Sequence, residues 1–179
     1  MSKRIAFLDR DGVINELVER AGQMVSPRTF TDFEIIPGVP SAIAKLQEIG
    51  FEVVVVTNQP DISRGHMNWD ELEKMNDVVR SLGVKQVEVC PHSDEDLCEC
   101  RKPKSGLLKE FIRIQTDSIS EIWMIGDKPS DIEAGLQVFA QTILITGSDV
   151  DLYSSSLPSY RCTDLVDAVE IICTFSKKT

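Results

Sequence analysis

Five short apolar runs constrain this chain more than any other feature of its sequence. They are Ile5, Ala6, Phe7 and Leu8; the four valines at 53–56; Val87 and Val89 around Glu88; Ile122, Trp123, Met124 and Ile125; and Thr142, Ile143, Leu144 and Ile145. Runs this short without polar alternation are the pattern of strands covered on both faces. Between them, Ile43, Leu46 and Ile49 keep a helical spacing, as do Trp69, Leu72, Met75, Val78, Val79 and Leu82, and then Leu107, Leu108, Phe111 and Ile112. A last segment, Leu165, Val166, Val169, Ile172 and Cys173, predicts a C-terminal helix. Strands alternating with helices predict an α/β fold: one Rossmann-like parallel sheet with helices on both faces.

Punctuation agrees with this division. Pro40 and Ser41 open a helix that Gly50 closes, Gly83 closes the next, and Pro129 sits in the first turn of another. Residues 15–36 show no clear period and carry Gly22 and Pro27, which predicts an extended loop above the strand ends. Residues 176–179 read as a frayed tail. The 179 residues suffice for one core and are too few for two full-size domains, so 1–179 is expected to be a single domain.

Charge narrows the partners. Against 19 Lys plus Arg stand 29 Asp plus Glu, a net charge of −10, which disfavours a general grip on nucleic acid or on an anionic membrane. An aromatic content of 6% leaves few platforms on which bases could stack. No stretch approaches a membrane span or a signal peptide, so the cytoplasm is the expected location and a monomer the expected state.

Open α/β sheets bind ligands beyond the carboxyl ends of their strands, so the residues just after each run matter most. After the first come Asp9, Arg10, Asp11, Gly12 and Val13; after the second Thr57, Asn58 and Gln59; after the third Cys90, Pro91 and His92; after the fourth Gly126, Asp127, Lys128, Pro129, Ser130 and Asp131. Asp9 and Asp11 lie two apart in extended chain and address one ligand. A lone Asp-x-Asp is ordinarily a solvated turn. Opposite a second acidic strand end it becomes an oxygen-rich pocket suited to Mg²⁺, with Asp127 and Asp131 completing it. Thr57 and Asn58 supply donors for a phosphate oxygen, and Arg101, Lys102 and Lys104 add the positive charge that phosphate needs.

Five cysteines are an odd number, and Cys90, Cys98 and Cys100 fall within eleven residues around His92. Three thiolates and an imidazole make a closed tetrahedral set for a structural Zn²⁺ in residues 90–100, with no position left for catalytic water. Cys162 and Cys173 read as buried thiols. His66 has no such neighbours and reads as a surface histidine or substrate contact.

Together these pieces resemble the haloacid dehalogenase superfamily of phosphatases, whose four motifs lie at successive strand ends in this order. Asp9, Asp11, Gly12 and Val13 resemble motif I, Thr57 motif II, Lys102 motif III, and Gly126, Asp127 and Asp131 motif IV. The zinc loop running into Arg101, Lys102 and Pro103 narrows the resemblance to the histidinol-phosphatase-like branch. It implies Asp9 as nucleophile, Asp11 as general acid and base, and Thr57 and Lys102 as holders of the phosphoryl group. It also implies Mg²⁺ between the Asp9 carboxylate, the Asp11 carbonyl and Asp127, with Lys128 and Asp131 in support. Asn58, Gln59, Arg64 and Arg101 are the expected substrate contacts, and no large cap domain fits between the motifs. The implied substrate is a small phosphorylated metabolite. Thr57, Asn58 and Gln59, the segment from Ile62 to Gly65, and Lys128 after Asp127 favour the 7-phosphate of a heptose bisphosphate. The short spacer between His92 and Cys98 favours histidinol phosphate, and residues 16–22 lack a Gly-Tyr pair that often lines a heptose site. Leu136, Gln137, Val138 and Phe139 replace the usual small-residue turn. A zinc-stabilised binding module without turnover is the non-enzyme alternative.

Overall fold

The computed structural model describes residues 2–146 and 157–176. Along the chain these form β1 (Lys3–Leu8), β2 (Val18–Arg20), β3 (Gln23–Val25), α1 (Val39–Glu48), β4 (Phe51–Asn58), α2 (Trp69–Ser81), β5 (Gln86–Cys90), α3 (Gly106–Arg113), β6 (Ile119–Gly126), α4 (Pro129–Leu136), β7 (Gln141–Ile145), β8 (Tyr160–Cys162) and α5 (Leu165–Phe175). Six strands make one sheet in the order β5-β4-β1-β6-β7-β8, with every neighbouring pair parallel.

The unbroken apolar runs follow from cover on both faces. In β1, Ala6 and Leu8 join a core with Ile43 and Leu46 of α1 and Ala168, Val169 and Ile172 of α5. Ile5 and Phe7 point the other way, into a core with Leu108 and Phe111 of α3 and Ala134 of α4. Phe7 meets Phe111 edge to face at 5.8 Å. A strand that alternates faces yet finds a helix on each must be apolar at every position.

The order of the strands sets the site. From β1 the chain steps to β4 and β5, then returns through α3 to β6 on the other side of β1 and continues to β7 and β8. Right-handed crossovers in opposite directions place α1 and α3 on opposite faces. The carboxyl ends of β1 and β6 therefore part at the point where the winding reverses, where such sheets open a crevice.

Four local differences from the sequence expectation have physical causes. Part of residues 15–36 is an antiparallel hairpin, β2 paired with β3, turned by Ala21 and Gly22 at φ 54° and 78°. The positive dihedrals match the twist of a two-residue hairpin turn, but Ala-Gly is a weak signal for one. Pairing of Asn15 with Ile35, and a hydrogen bond from Glu16 N to Glu34 O at 2.9 Å, closes the base of this arm. Strand β8 is short and half polar, so no apolar run marked it. Trp69 and Val166 are half-exposed rather than core, because the helix faces that carry them turn outward. Of the expected tail, Ser176 caps α5 and donates to Glu121 at 2.8 Å, and 177–179 lie outside the described residues. Among the described residues, no helix is long and apolar enough to cross a membrane.

Candidate active site

Asp9 leaves β1 with its N–H bonded to Ile125 O of β6 at 2.9 Å, which places it on the seam between the two diverging strands. Asp127 follows β6, and Asp131 sits in the first turn of α4. The three carboxylates bring an oxygen each within 4.8 Å of one another. Two glycines allow the approach. A Cβ on Gly12, whose φ is +86°, would stand 2.5 Å from Asp127 Oδ2, and one on Gly126 would stand 2.2 Å from the Asp131 Cβ.

Lys102 closes the cluster. Its Nζ donates to Asp9 Oδ1 and Val56 O at 2.7 Å each and pairs with Asp131 Oδ1 at 2.7 Å, with the side chain 2% exposed. Burial opposes its charge, but the two carboxylates outweigh burial and hold the ammonium well above the ordinary lysine range. One cation does not balance three acids. Asp127 Oδ1 is buried without a hydrogen-bond partner, and burial, with Asp9 and Asp131 adding to it against Lys128, pushes Asp127 up to about 7. Lys128 Nζ stands 3.4 Å from Asp127 Oδ2 and is half exposed. An orphaned carboxylate oxygen in a crowded acidic cluster fits a hard divalent cation with oxygen ligands.

Asp11 turns away from this cluster into a buried net. Its Oδ1 accepts from Arg10 Nη2 and Asn15 Nδ2, both at 3.0 Å, and its Oδ2 from Gln59 Nε2 at 2.6 Å. Burial alone would raise the carboxyl; Arg10, Asn15 and Gln59 prevail and hold it below its usual value. The Arg10 guanidinium is wholly buried, bonded also to Asn76 Oδ1 at 3.0 Å, and lies over the Phe33 ring at 5.6 Å. Nothing in the sequence alone marks Arg10, Asn15 or Asn76 as part of the site. Asn76 stands out only as a polar residue on the apolar stripe of α2 beside Leu72, Met75 and Val79.

The strand-end amides hold the machinery together. Gln59 Nε2 bridges Asp11 to Thr57 Oγ1 at 2.8 Å. Asn58 donates Nδ2 to Lys102 O at 3.0 Å and accepts from Lys102 N at 3.1 Å, which fixes the backbone of the lysine. Gln137, from the unexpected segment after α4, donates to Pro103 O at 2.7 Å and accepts from Ser105 Oγ at 3.0 Å, bracing the same segment from below. Arg101 donates Nε to Asp94 Oδ1 at 2.6 Å and stays at the rim, and Arg64 is a half-exposed rim residue.

Beside the crevice, Cys90, His92, Cys98 and Cys100 converge. Cys100 Sγ lies 3.1 Å from Cys90 Sγ and 3.4 Å from Cys98 Sγ, Cys90 and Cys98 are 3.7 Å apart, and His92 Nδ1 is 3.2 Å from Cys100 Sγ. Ligands on a zinc tetrahedron are separated by about 3.8 Å, given bonds near 2.3 Å, so four groups this close fit the ion. Gly106 lets the loop pack on α3, since a Cβ there would stand 2.2 Å from Glu99 O.

A parallel sheet with a nucleophile-like aspartate at the winding reversal, a buried lysine against it and a second acidic strand end opposite defines a phosphatase of the haloacid dehalogenase class. The chain belongs to the polynucleotide kinase 3 phosphatase family, whose model matches residues 4–174. It is 36% identical over 165 residues to the D-glycero-beta-D-manno-heptose-1,7-bisphosphate 7-phosphatase of Pseudomonas aeruginosa, covering 88% of this chain and 90% of that one. It is 32% identical over 187 residues to the protein of the same name in Haemophilus influenzae, covering 96% and 97%. Among solved structures, the D,D-heptose 1,7-bisphosphate phosphatase of B. bronchiseptica, complexed with magnesium and phosphate, superposes with a TM-score of 0.82 at 27% identity, covering 96% of this chain and 98% of that one.

Proposed function

We propose that the chain, as one cytoplasmic domain and a monomer, removes the 7-phosphate of a D-glycero-D-manno-heptose 1,7-bisphosphate with the help of Mg²⁺. The observation that carries the reaction is the cluster of Asp9, Asp127 and Asp131 locked by Lys102. Its support for the substrate is likeness to proteins that bear that name.

Asp9 attacks phosphorus and the sugar oxygen leaves, which transfers the phosphoryl group to the carboxylate as a mixed anhydride. Lys102 and the Thr57 hydroxyl hold the phosphoryl oxygens in place, so the spread charge of the transition state meets fixed donors. Asp11 takes up a proton from solvent as the substrate phosphate enters, gives it to the leaving alkoxide, and takes one back from the water that cleaves the acyl phosphate. Its pairing with Arg10 keeps it a carboxylate at rest, and a phosphate dianion entering beside it raises its proton affinity. Mg²⁺, when held by Asp9, Asp127 and the Asp11 carbonyl, neutralises phosphoryl charge. Lys128 and Asp131 support that set. Asn58 and Gln59 act on substrate by holding Lys102, Thr57 and Asp11 in position, while Arg101 and Arg64 wait at the rim.

Cys90, His92, Cys98 and Cys100 hold Zn²⁺ and so order the loop that delivers Arg101 and Lys102. Thiolate ligands of this kind belong in a reducing compartment. The family's name refers to polynucleotides, but a net charge of −10 opposes that kind of partner. Steady-state phosphate release from the heptose bisphosphate and from histidinol phosphate tests the substrate. A heptose preference in kcat/KM above about tenfold is expected, and a smaller one returns the assignment to histidinol phosphate.

A further inference from the structure

The loop after β4 carries a charged cluster that this chemistry leaves unused. Asp61 lies two residues beyond Gln59, with its side chain 16% exposed, and two loops bring cations to it. From the arm of residues 15–36, Arg28 donates Nε to Asp61 Oδ2 at 2.5 Å and Nη2 to Oδ1 at 3.2 Å. From the loop of Asp61 itself, His66 Nδ1 stands 3.4 Å and Arg64 Nη1 3.9 Å from the same Oδ1. The amides of His66 and Met67 both donate to the Asp61 carbonyl, at 2.8 and 3.0 Å, which ties this loop on itself and makes Asp61 a fixed post.

The charges continue toward the crevice. Arg64 and Arg101 both act on Asp94, and Arg101 adjoins Lys102, whose ammonium touches Asp9. Arg28, Asp61 and Arg64 thus form one cluster and Asp94 and Arg101 a second, and the charge of Arg64 felt at Asp94 joins them into an alternating arc. Three guanidiniums against two carboxylates leave it net positive. The Arg28 fork takes two of the acceptor sites of Asp61, and the His66 imidazole and the Arg64 guanidinium stand beside the same carboxylate. Arg28 uses Nε and Nη2 on Asp61 and His66, which leaves Nη1, and among the described residues the Arg64 guanidinium makes no hydrogen bond. Donors held at a rim, partly exposed and not saturated, suit an oxyanion with several acceptors.

We propose that Arg28 is a specificity-determining residue that binds the second phosphate of a sugar bisphosphate, and that Asp61 is the positioning residue that holds it at the rim. The inference rests on the sugar-bisphosphate reading above. The phosphoryl group in transfer is held at Asp9 and beside Lys102, while the phosphate at the other end of the sugar meets the arc.

The test compares the heptose 1,7-bisphosphate with the heptose 7-phosphate, which has the same scissile group and no second phosphate. Arg28→Met is expected to raise KM for the bisphosphate about tenfold, the worth of one charge-assisted hydrogen bond. Its kcat should stay within about twofold, as should KM for the monophosphate, because only uniform binding is lost. Arg28→Lys keeps the charge without the fork and is expected to fall between, at about threefold. Asp61→Asn separates position from charge. It adds net positive charge to the arc, so a purely electrostatic role lowers KM for the bisphosphate, whereas positioning raises it. A lowered KM, or an equal loss on both substrates, overturns the proposal. Wild-type protein that does not prefer the bisphosphate overturns the sugar-bisphosphate reading as well; a wild-type preference that survives Arg28→Met overturns the arc alone. Arg28 is about one-third exposed and its ion pair contributes little to folding, so the variant remains measurable.

Discussion

The two ends of the same six strands are built on opposite principles. At the amino ends lies a cleft of about 620 Å³ lined by Arg4, Glu121, Trp123, Phe139, Tyr160 and Phe175 among others. Its two charged side chains, Arg4 and Glu121, are paired. Arg4 lies over the Phe51 ring at 4.2 Å, donates Nε to Glu121 Oε2 at 2.9 Å and Nη1 to Ile49 O at 2.7 Å, and touches Ser176. Trp123 Nε1 donates to Glu121 Oε1 at 2.7 Å, and Tyr160 stacks between Trp123 and Phe175 at centroid distances of 5.8 and 4.9 Å. At the carboxyl ends, three carboxylates crowd one lysine and a buried oxygen of Asp127 has no partner. The aromatic cleft is a paired structural end. Crowded charge, rather than the presence of a cleft, marks where chemistry happens, because perturbed titratable groups gather where a ligand is to be bound.

That contrast can be broken most directly at Asp9. Asp9→Asn is expected to lower kcat by at least about a thousandfold, since the proposed nucleophile is gone. It should leave the melting temperature unchanged or higher, because one of three repelling acids becomes neutral; retention of turnover, or a collapsed fold, would count against the assignment. The Cys/His loop comes next. Elemental analysis is expected to find about one zinc per chain, and Cys98→Ser to lose it with a fall in melting temperature of about 10 °C. Full metal and unchanged melting in that variant would refute the clip. At the opposite end the sign of the effect reverses. Trp123→Ala is expected to cost about 3–5 kcal/mol in denaturant unfolding, while the folded fraction keeps kcat within about twofold. A variant there that loses kcat without losing stability would make the aromatic cleft functional.

The smallest effect is a titration. Asp127 in the metal-free protein is pushed from 3.8 up to about 7, so the folded state holds its proton more tightly than the unfolded chain. Its contribution to stability is therefore full below the ordinary carboxylate value and declines as pH rises toward 7. Mg²⁺ needs the ionised form, so its affinity measured by calorimetry should rise by up to about tenfold per pH unit below 7 and level off above. An affinity flat across pH 5.5 to 7 would show that Asp127 is not the group from which the metal displaces a proton.

Much of the site was legible because its residues sit at strand ends, and strand ends follow from where apolar runs stop. Asp9, Thr57 and Asp127 are legible on that ground and the Cys/His set from its close spacing, and the structure brings Asp9, Asp127, Asp131 and Lys102 into one contact and Cys90, His92, Cys98 and Cys100 into another. Lys102 is 93 residues from Asp9 along the chain, and its contact rested on motif order alone. Arg10 was invisible as a functional residue, since a buried guanidinium between two acids looks like a surface charge until Asn76 and Phe33 are seen to enclose it. The bonds that Asn58 and Gln59 make to Lys102, Thr57 and Asp11 carry no signal in the sequence, for amide side chains serve ligand and protein equally well.

The sequence by itself determined the layered architecture and the identities of the reactive groups. Periodicity states which faces must be covered, and carboxylates, thiols and ammonium groups carry their chemistry wherever they are placed. Tertiary structure alone decided which of them are charged, paired or left wanting. Whether Asp11 is held ionised, Asp127 is pushed toward neutrality or Asp61 gathers the rim depends on desolvation and on neighbours from distant segments, and those energies exist only once the strands have been brought side by side.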